Sequence, residues 1–265
     1  MLFLLSPAKS LDYDTPTPPE LADALTRPQF LADTAALIDV LRTKTVADVR
    51  GLMDLSEPLA QLNVDRYAAW RPRFTDKNSK PAVLAFNGDV YDGLQARTLD
   101  ADGIAWAQQH VLMLSGLYGV LRPLDRLQPY RLEMGTSLET ERGGTLYAYW
   151  GDTVAAHLNA LQKREREPVV VNLASQEYFK VTQARVGRDK VLRARVVECV
   201  FEDWKSGEWK IISFFAKRAR GMMARHAIDQ RATTPEQLAS FDADGYAYAP
   251  RASEPDRLVF RRRAG

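Results

Sequence analysis

The segment EPVVVNLAS, residues 167–175, constrains the fold more than any other stretch of the chain. Its apolar residues do not alternate with polar ones, so a strand formed here has no face to give to water. Such a strand belongs in the middle of a sheet covered on both sides. LFLLS (2–6) has the same character and is ended by Pro7. Further strand signals lie at PAVLAF (81–86), within WAQQHVLMLSGLYG (106–119), in VLRARVVECVFEDW and EWKIISFF around a turn at Lys205-Ser206-Gly207, and at YAYAP and RLVFRR.

Between these strands the apolar period becomes helical. Leu21, Leu25, Phe30, Leu31, Leu37, Ile38 and Leu41 recur at near-helical spacing after the proline-rich DYDTPTPPEL. LYAYWGDTVAAHLNALQKRE (146–165) reads as one amphipathic helix and FAKRARGMMARHAIDQR (215–231) as another. In residues 44–72, Thr45 caps one short helix and Ser56 caps a second, with Glu57 and Pro58 in its first turn. Two short helices with almost no linker form a helical hairpin, although the glycine-hydrophobic-glycine turn of DNA-binding hairpins is absent. Strands and helices mix without strict alternation. The expected class is therefore α+β or mixed α/β: a single globular domain over 1–265, with a central mixed sheet covered by helices, a helical hairpin and a basic cleft.

Composition adds limits. The formal net charge is +2, too small to demand a polyanionic partner, so only clustering of charge can indicate one. The single cysteine, Cys199, excludes an internal disulfide and suits a reducing cytoplasm. The apolar run Leu2 to Leu5 is too short for a signal peptide, and no run approaches the roughly 20 residues of a membrane helix. A cytoplasmic protein with no membrane partner is expected; nothing in the sequence sets an oligomeric state.

GVLRPLDRLQPYRLEMG (119–135) places Arg122, Arg126 and Arg131 beside Asp125 and Glu133, on a backbone stiffened by Pro123 and Pro129. Two readings stand. The acids tie down the guanidinium groups in an internal network, or a remaining fork faces a carboxylate or phosphate. On the helix at 215–231, Lys217, Arg218, Arg220 and Arg225 fall within roughly 160° of arc at about 100° per residue. Gly221 lies inside that face and would let a phosphate approach the backbone, while Met222, Met223, Ala219, Ala227 and His226 lie opposite. A solvated face opposite a core face gives the same pattern.

Three strand-to-turn junctions, SPAKS (6–10), FNGDVYDG (86–93) and NLASQEYFK (172–180), end apolar runs in polar residues. Ligand clefts lie where strands end, so Lys9, Asp89, Tyr91, Asn172, Ser175, Tyr178 and Lys180 are candidates for one shared cleft, with Asp89 and Glu177 available for acid–base work. No phosphate-loop, dinucleotide-binding or nucleophile-elbow motif occurs. His110, His157 and His226 are far apart and none has a partner at metal-ligand spacing, so no metal and no cofactor are expected. No catalytic residue is assigned.

The motifs LLSPAKSLDY, LAFNGDVYDGL, MLSGLYGVLRPLDRLQPYRLEMG, LYAYWGD, VVNLASQEYFK and IISFFAKRARGMM, in this order, resemble a bacterial family, the YaaA proteins, over the whole chain. The resemblance implies a cytoplasmic peroxide-stress protein associated with limiting free intracellular iron. It also implies a single α/β body with a positively charged cleft, a helix-hairpin-helix element and binding of double-stranded DNA. Residues 46–70 best accommodate the hairpin, with the block around Gly116–Gly119 as the alternative.

Two functions follow as expectations. In the first, Lys9, Arg122, Arg131, Lys180, Lys217 and Arg220 line a basic cleft for duplex DNA. In the second, the same cleft is an enzyme site for a small anionic or nucleotide-like substrate, because Asp89, Tyr91, Asn172, Ser175 and Tyr178 are more polar variety than charge neutralisation requires.

Overall fold

The structure is a computed structural model and describes residues 1–186 and 189–263. Its centre is a sheet of eight strands: β1 (Leu2–Leu5), β2 (Val111–Ser115), β3 (Gly119–Leu121), β4 (Val169–Leu173), β5 (Arg195–Lys205), β6 (Glu208–Lys210), β7 (Ala247–Tyr248) and β8 (Arg257–Arg262). Their order is β7-β8-β5-β4-β1-β2-β3, with β6 paired to β5. β8, β5, β4, β1 and β2 run parallel, whereas β7, β3 and β6 are antiparallel additions. The class is mixed α/β, as the apolar runs require. Every residue of β1, β2 and β4 is buried, which is why these strands carry no polar alternation.

The helices that surround the sheet include α1 (Leu31–Arg42), α2 (Val46–Met53), α3 (Glu57–Ala69), α4 (Asp89–Leu94), α5 (Ala101–His110), α6 (Leu146–Trp150), α7 (Thr153–Leu161), α8 (Gln176–Phe179) and α9 (Ser213–Asp229). α2 and α3 form the pair expected over 44–72. Thr45 caps α2 in a reciprocal capping box with Asp48. Ser56 stands at the α3 N-cap, but its side chain makes no capping bond. α9 lies against β1, β4 and β5 and crosses α4.

Three sequence expectations are corrected. PAVLAF is not a sheet strand: Ala82–Ala85 is one buried helical turn between two-residue strands at Lys80–Pro81 and Phe86–Asn87. The N–H groups of Ala82 and Val83 donate to the carbonyls of Asp125 and Pro123, and a short buried run has no period that separates strand from helix. The span 146–165 is two helices, because Gly151 takes φ +48° between α6 and α7. EWKIISFF pairs only through Lys210; α9 begins at Ser213, its β-branched and aromatic residues notwithstanding. Strand propensity is a weak guide at such exposed positions.

A fourth correction concerns Gly221. A Cβ built on it would lie 1.7 Å from the Val90 carbonyl oxygen, and one on Gly93 would lie 2.1 Å from that of Arg218. The backbones of α4 and α9 touch at this crossing, so helix α4, not a phosphate, occupies the space that Gly221 leaves open.

The arginine-rich segment 119–135 runs mostly buried. A buried segment outside regular structure must satisfy its backbone polar groups. Tyr67 donates to the Arg131 carbonyl, and the Tyr118 hydroxyl accepts from the Gln128 N–H at 3.2 Å and from Trp70 Nε1 at 3.1 Å.

Candidate functional site

β1 and β4 are parallel neighbours whose chains leave in opposite directions. The chain from β1 reaches the sheet again at β2 on one side, and the chain from β4 does so at β5 on the other. This is a topological switch point, where open α/β sheets leave a crevice beyond the strand ends. A cavity of about 440 Å³ opens there.

All three polar junctions reach it. Ser6 to Ser10 follow β1; Asn87 to Tyr91 precede and begin α4; Ser175, Glu177 and Tyr178 follow β4. They are stitched together. The Ser175 N–H donates to Ser6 Oγ at 2.9 Å, the Tyr91 hydroxyl donates to the Ser6 carbonyl at 3.0 Å, and Ser10 pairs with Asn87. Tyr130 to Glu133 form a fourth wall, and Lys217 and Arg220, three residues apart on one face of α9, form a fifth.

The charges are mixed. Glu133 pairs with Lys9 at 2.9 Å and with Arg131 at 2.8 Å. Burial pushes its carboxyl pKa up, but the hydrogen bonds and charges of Lys9 and Arg131 outweigh this and hold it below the usual range. Glu177 Oε1 accepts from the Gly135 N–H at 2.9 Å. Burial pushes the Tyr91 and Tyr178 phenols well above their usual range, so both stay neutral donors.

Among the described residues, the side chains of Arg220, Lys217 and Asp89 form no ion pair and no hydrogen bond with another side chain or the backbone, and of the two cations Arg220 is the more buried. Arg220 is half-buried; desolvation pulls its pKa down, partly opposed by the charge of Glu198. A guanidinium has five N–H donors and stays charged in proteins. Its donors have no protein acceptor among the described residues and remain open to an anion entering the cavity.

The remaining candidates lie elsewhere. Arg122 lines a separate cavity of about 100 Å³ with Thr26, Arg27, Asp125 and His157. Asp125 makes no ion pair with the Arg122 guanidinium: its carboxylate accepts from the Arg122 backbone N–H at 2.8 Å and the Thr26 hydroxyl at 2.7 Å. Arg126 pairs instead with Asp76. Lys180 lies 4.6 Å from the Tyr147 ring centre, beside an open hollow. Asn172 is buried on β4, where Oδ1 accepts from the Ala174 N–H and fixes the turn into Ser175. On α9, Arg218 leans toward Asp244 and Arg225 pairs with Asp229. Of the named set, Lys9, Asp89, Tyr91, Arg131, Ser175, Tyr178, Lys217 and Arg220 share the cavity. Ser6, Ser10, Asn87 and Tyr130 join them; they stand inside the quoted motifs but carry no charge to mark them.

Among the described residues, no group of three or more His, Cys, Asp or Glu is placed to hold a metal ion, and no helix is long and apolar enough to cross a membrane.

Fold and site define a mixed α/β protein with a polar, charge-mixed cavity at its switch point. The chain matches the family described as peroxide stress protein YaaA over residues 1–252 and belongs to it. A UPF0246 protein of Leptothrix cholodnii is 64% identical over 262 residues, covering 99% of this chain and 98% of the relative. UPF0246 proteins of Paracidovorax citrulli and Bordetella avium are 61% and 60% identical over 263 residues, each covering 99% of both chains.

A peroxide-stress protein with one cysteine raises the question of thiol chemistry. Cys199 is 4% exposed and burial pushes its thiol up to about 12. Peroxide reacts with accessible thiolate. Native protein at pH 8 is expected to resist both hydrogen peroxide and a thiol-specific chromogenic reagent, and to react with the reagent fully once unfolded. Stoichiometric labelling of the native protein within minutes would contradict this.

Proposed function

We propose that this peroxide-stress protein binds a small anionic, nucleotide-like ligand in the switch-point cavity. The observation that carries the reading is Arg220: half-buried, charged, and without an acceptor among the described residues. An anion bound there would supply the missing acceptors, in the bidentate geometry that suits a guanidinium and a phosphate or carboxylate. Lys217 adds a second positive charge one turn away. Asp89 and Glu177 would accept from ligand hydroxyl or amino groups, and Tyr91, Tyr178 and the serines complete a wall of small-molecule character. The test is calorimetric titration with inorganic phosphate and with nucleoside mono- and diphosphates. Saturable binding to wild type, weakened at least tenfold by Arg220→Met, supports the reading; no binding to any of them at millimolar concentration overturns it. If chemistry follows binding, Asp89→Asn retains the ligand and loses turnover.

Duplex DNA is the second reading, and one observation favours it. Gly51 on α2 has nothing within 4 Å of where its Cβ would be, in an open groove with Lys44, Gly135 and Ser137. Lys44 stands at that groove and can meet a phosphate. Against it stands the dispersal of Arg122 and Lys180 and the pairing of Lys9 and Arg131 with Glu133. A five-phosphate contact set would give a log–log salt slope of about −4 to −5. Limitation of iron-driven damage would then follow from the bound ligand or DNA, not from iron held by this chain.

A further inference from the structure

Trp204 is one of the large apolar side chains exposed on the described surface. It marks the end of the sheet where β5 outruns its neighbour. β5 pairs with β4 only as far as Glu198, continues to Lys205 and doubles back as β6. Along β5, Val197, Cys199, Phe201 and Asp203 are buried. Trp204 belongs to the opposite, open face.

On that face Trp204 stands directly across from Trp209, ring centres 5.0 Å apart at 68°. The Arg263 guanidinium lies 4.6 Å from the Trp204 ring centre and 5.6 Å from that of Trp209, and Arg261 lies 4.8 Å from Trp209. Lys205 and Lys210 flank the hairpin. Glu202 pairs with Arg261 and Glu208 with Lys210. Lys205 and Arg263 form no ion pair among the described residues, so the surface keeps an excess of positive charge. Exposed tryptophan is unfavourable unless something covers it.

We propose that this tryptophan–arginine surface binds single-stranded nucleic acid. Bases stack on the indole faces and on the Arg263 guanidinium plane, while Lys205 and Arg263 neutralise phosphates. Tryptophan and arginine suit a protein partner as well, but the unpaired charges of Lys205 and Arg263 favour a polyanion. A duplex fits less well because its base faces are already stacked. No residue of this surface belongs to the switch-point cavity, so the proposal does not rest on the ligand assigned there.

The test is fluorescence anisotropy of labelled 15-residue oligo-dT and oligo-U with the full chain at low salt, beside a duplex of equal length. The expected result is saturable single-strand binding that quenches tryptophan fluorescence; the dT and U arms decide between DNA and RNA. Trp204→Ala should weaken it about 5- to 100-fold, and Arg263→Gln should flatten the salt slope by about 0.7. Trp204 is exposed, so its variant should fold, and Arg263→Gln gives an independent readout. The proposal is overturned by absence of single-strand binding, by affinity unchanged in both variants, by duplex binding that Trp204→Ala weakens as much as single-strand binding, or by self-association that Trp204→Ala abolishes. Trp204→Ala should leave phosphate binding in the cavity unchanged, so failure of either reading is seen separately.

Discussion

Replacing Arg220 with methionine is expected to stabilise the ligand-free protein while removing its response to phosphate-bearing ligands. Arg220 is half-buried and makes no ion pair among the described residues. The charge of Glu198 offsets its desolvation only in part in the free protein, and a flexible apolar side chain of similar length relieves the rest. The gain should be about 1–2 kcal/mol, which for a chain of this size raises Tm by about 2–8 °C. Lys217, exposed on the same helix face, should behave differently: Lys217→Met shifts stability by less than about 0.5 kcal/mol yet weakens the same ligand. Stability sacrificed for a binding site is the expected trade-off where a charge waits for its counterion. Differential scanning calorimetry with and without ligand reads both effects. A fall in Tm for Arg220→Met, with ligand binding intact, would make Arg220 a structural residue.

The second large effect comes from one substitution with opposite outcomes at two helical glycines. Gly→Ala inside a helix ordinarily stabilises by about 0.5–1 kcal/mol, because alanine loses less backbone freedom. Gly51→Ala on α2, with open space around the new methyl group, should gain about that amount. Gly221→Ala cannot: its methyl would sit 1.7 Å from the Val90 carbonyl oxygen and 2.9 Å from the Leu94 nitrogen. These are backbone atoms of α4, so a rotamer change cannot relieve the clash; α4 and α9 must separate. A loss of about 3 kcal/mol or more is expected, and Tm should fall by at least about 6 °C. Function should suffer with it. α4 begins with Asp89 and carries Tyr91, α9 carries Lys217 and Arg220, and the crossing sets their spacing across the cavity. Denaturant unfolding of both variants checks the signs. If Gly221→Ala matched Gly51→Ala, the close crossing would be refuted.

The central sheet was legible because Leu2–Leu5 and Val169–Leu173 are apolar on both faces, a pattern with one economical explanation. The junction motifs were legible as polar residues following apolar runs, and the cavity gathers SPAKS, FNGDVYDG and the first part of NLASQEYFK. What was hidden is three-dimensional adjacency. Arg122 and Arg131 are nine residues apart on one extended segment, yet one lines a small cavity beside His157 and the other pairs with Glu133 in the main cavity. Gly221 looked like an opening in a basic face because nothing in its own helix shows that α4 crosses there. Lys180 and Asn172 lie within a correct motif, but one is drawn to the Tyr147 ring and the other into the turn it stabilises.

The central claim is that the switch-point cavity is an anion-binding site. Backbone amide chemical-shift mapping of isotopically labelled protein during titration with a nucleoside monophosphate tests it most directly. The account predicts saturable shifts concentrated at Ser6–Ser10, Asn87–Tyr91, Ser175–Tyr178 and Lys217–Arg220. Absence of shifts at saturating ligand, or shifts confined to surfaces outside these four segments, would contradict it.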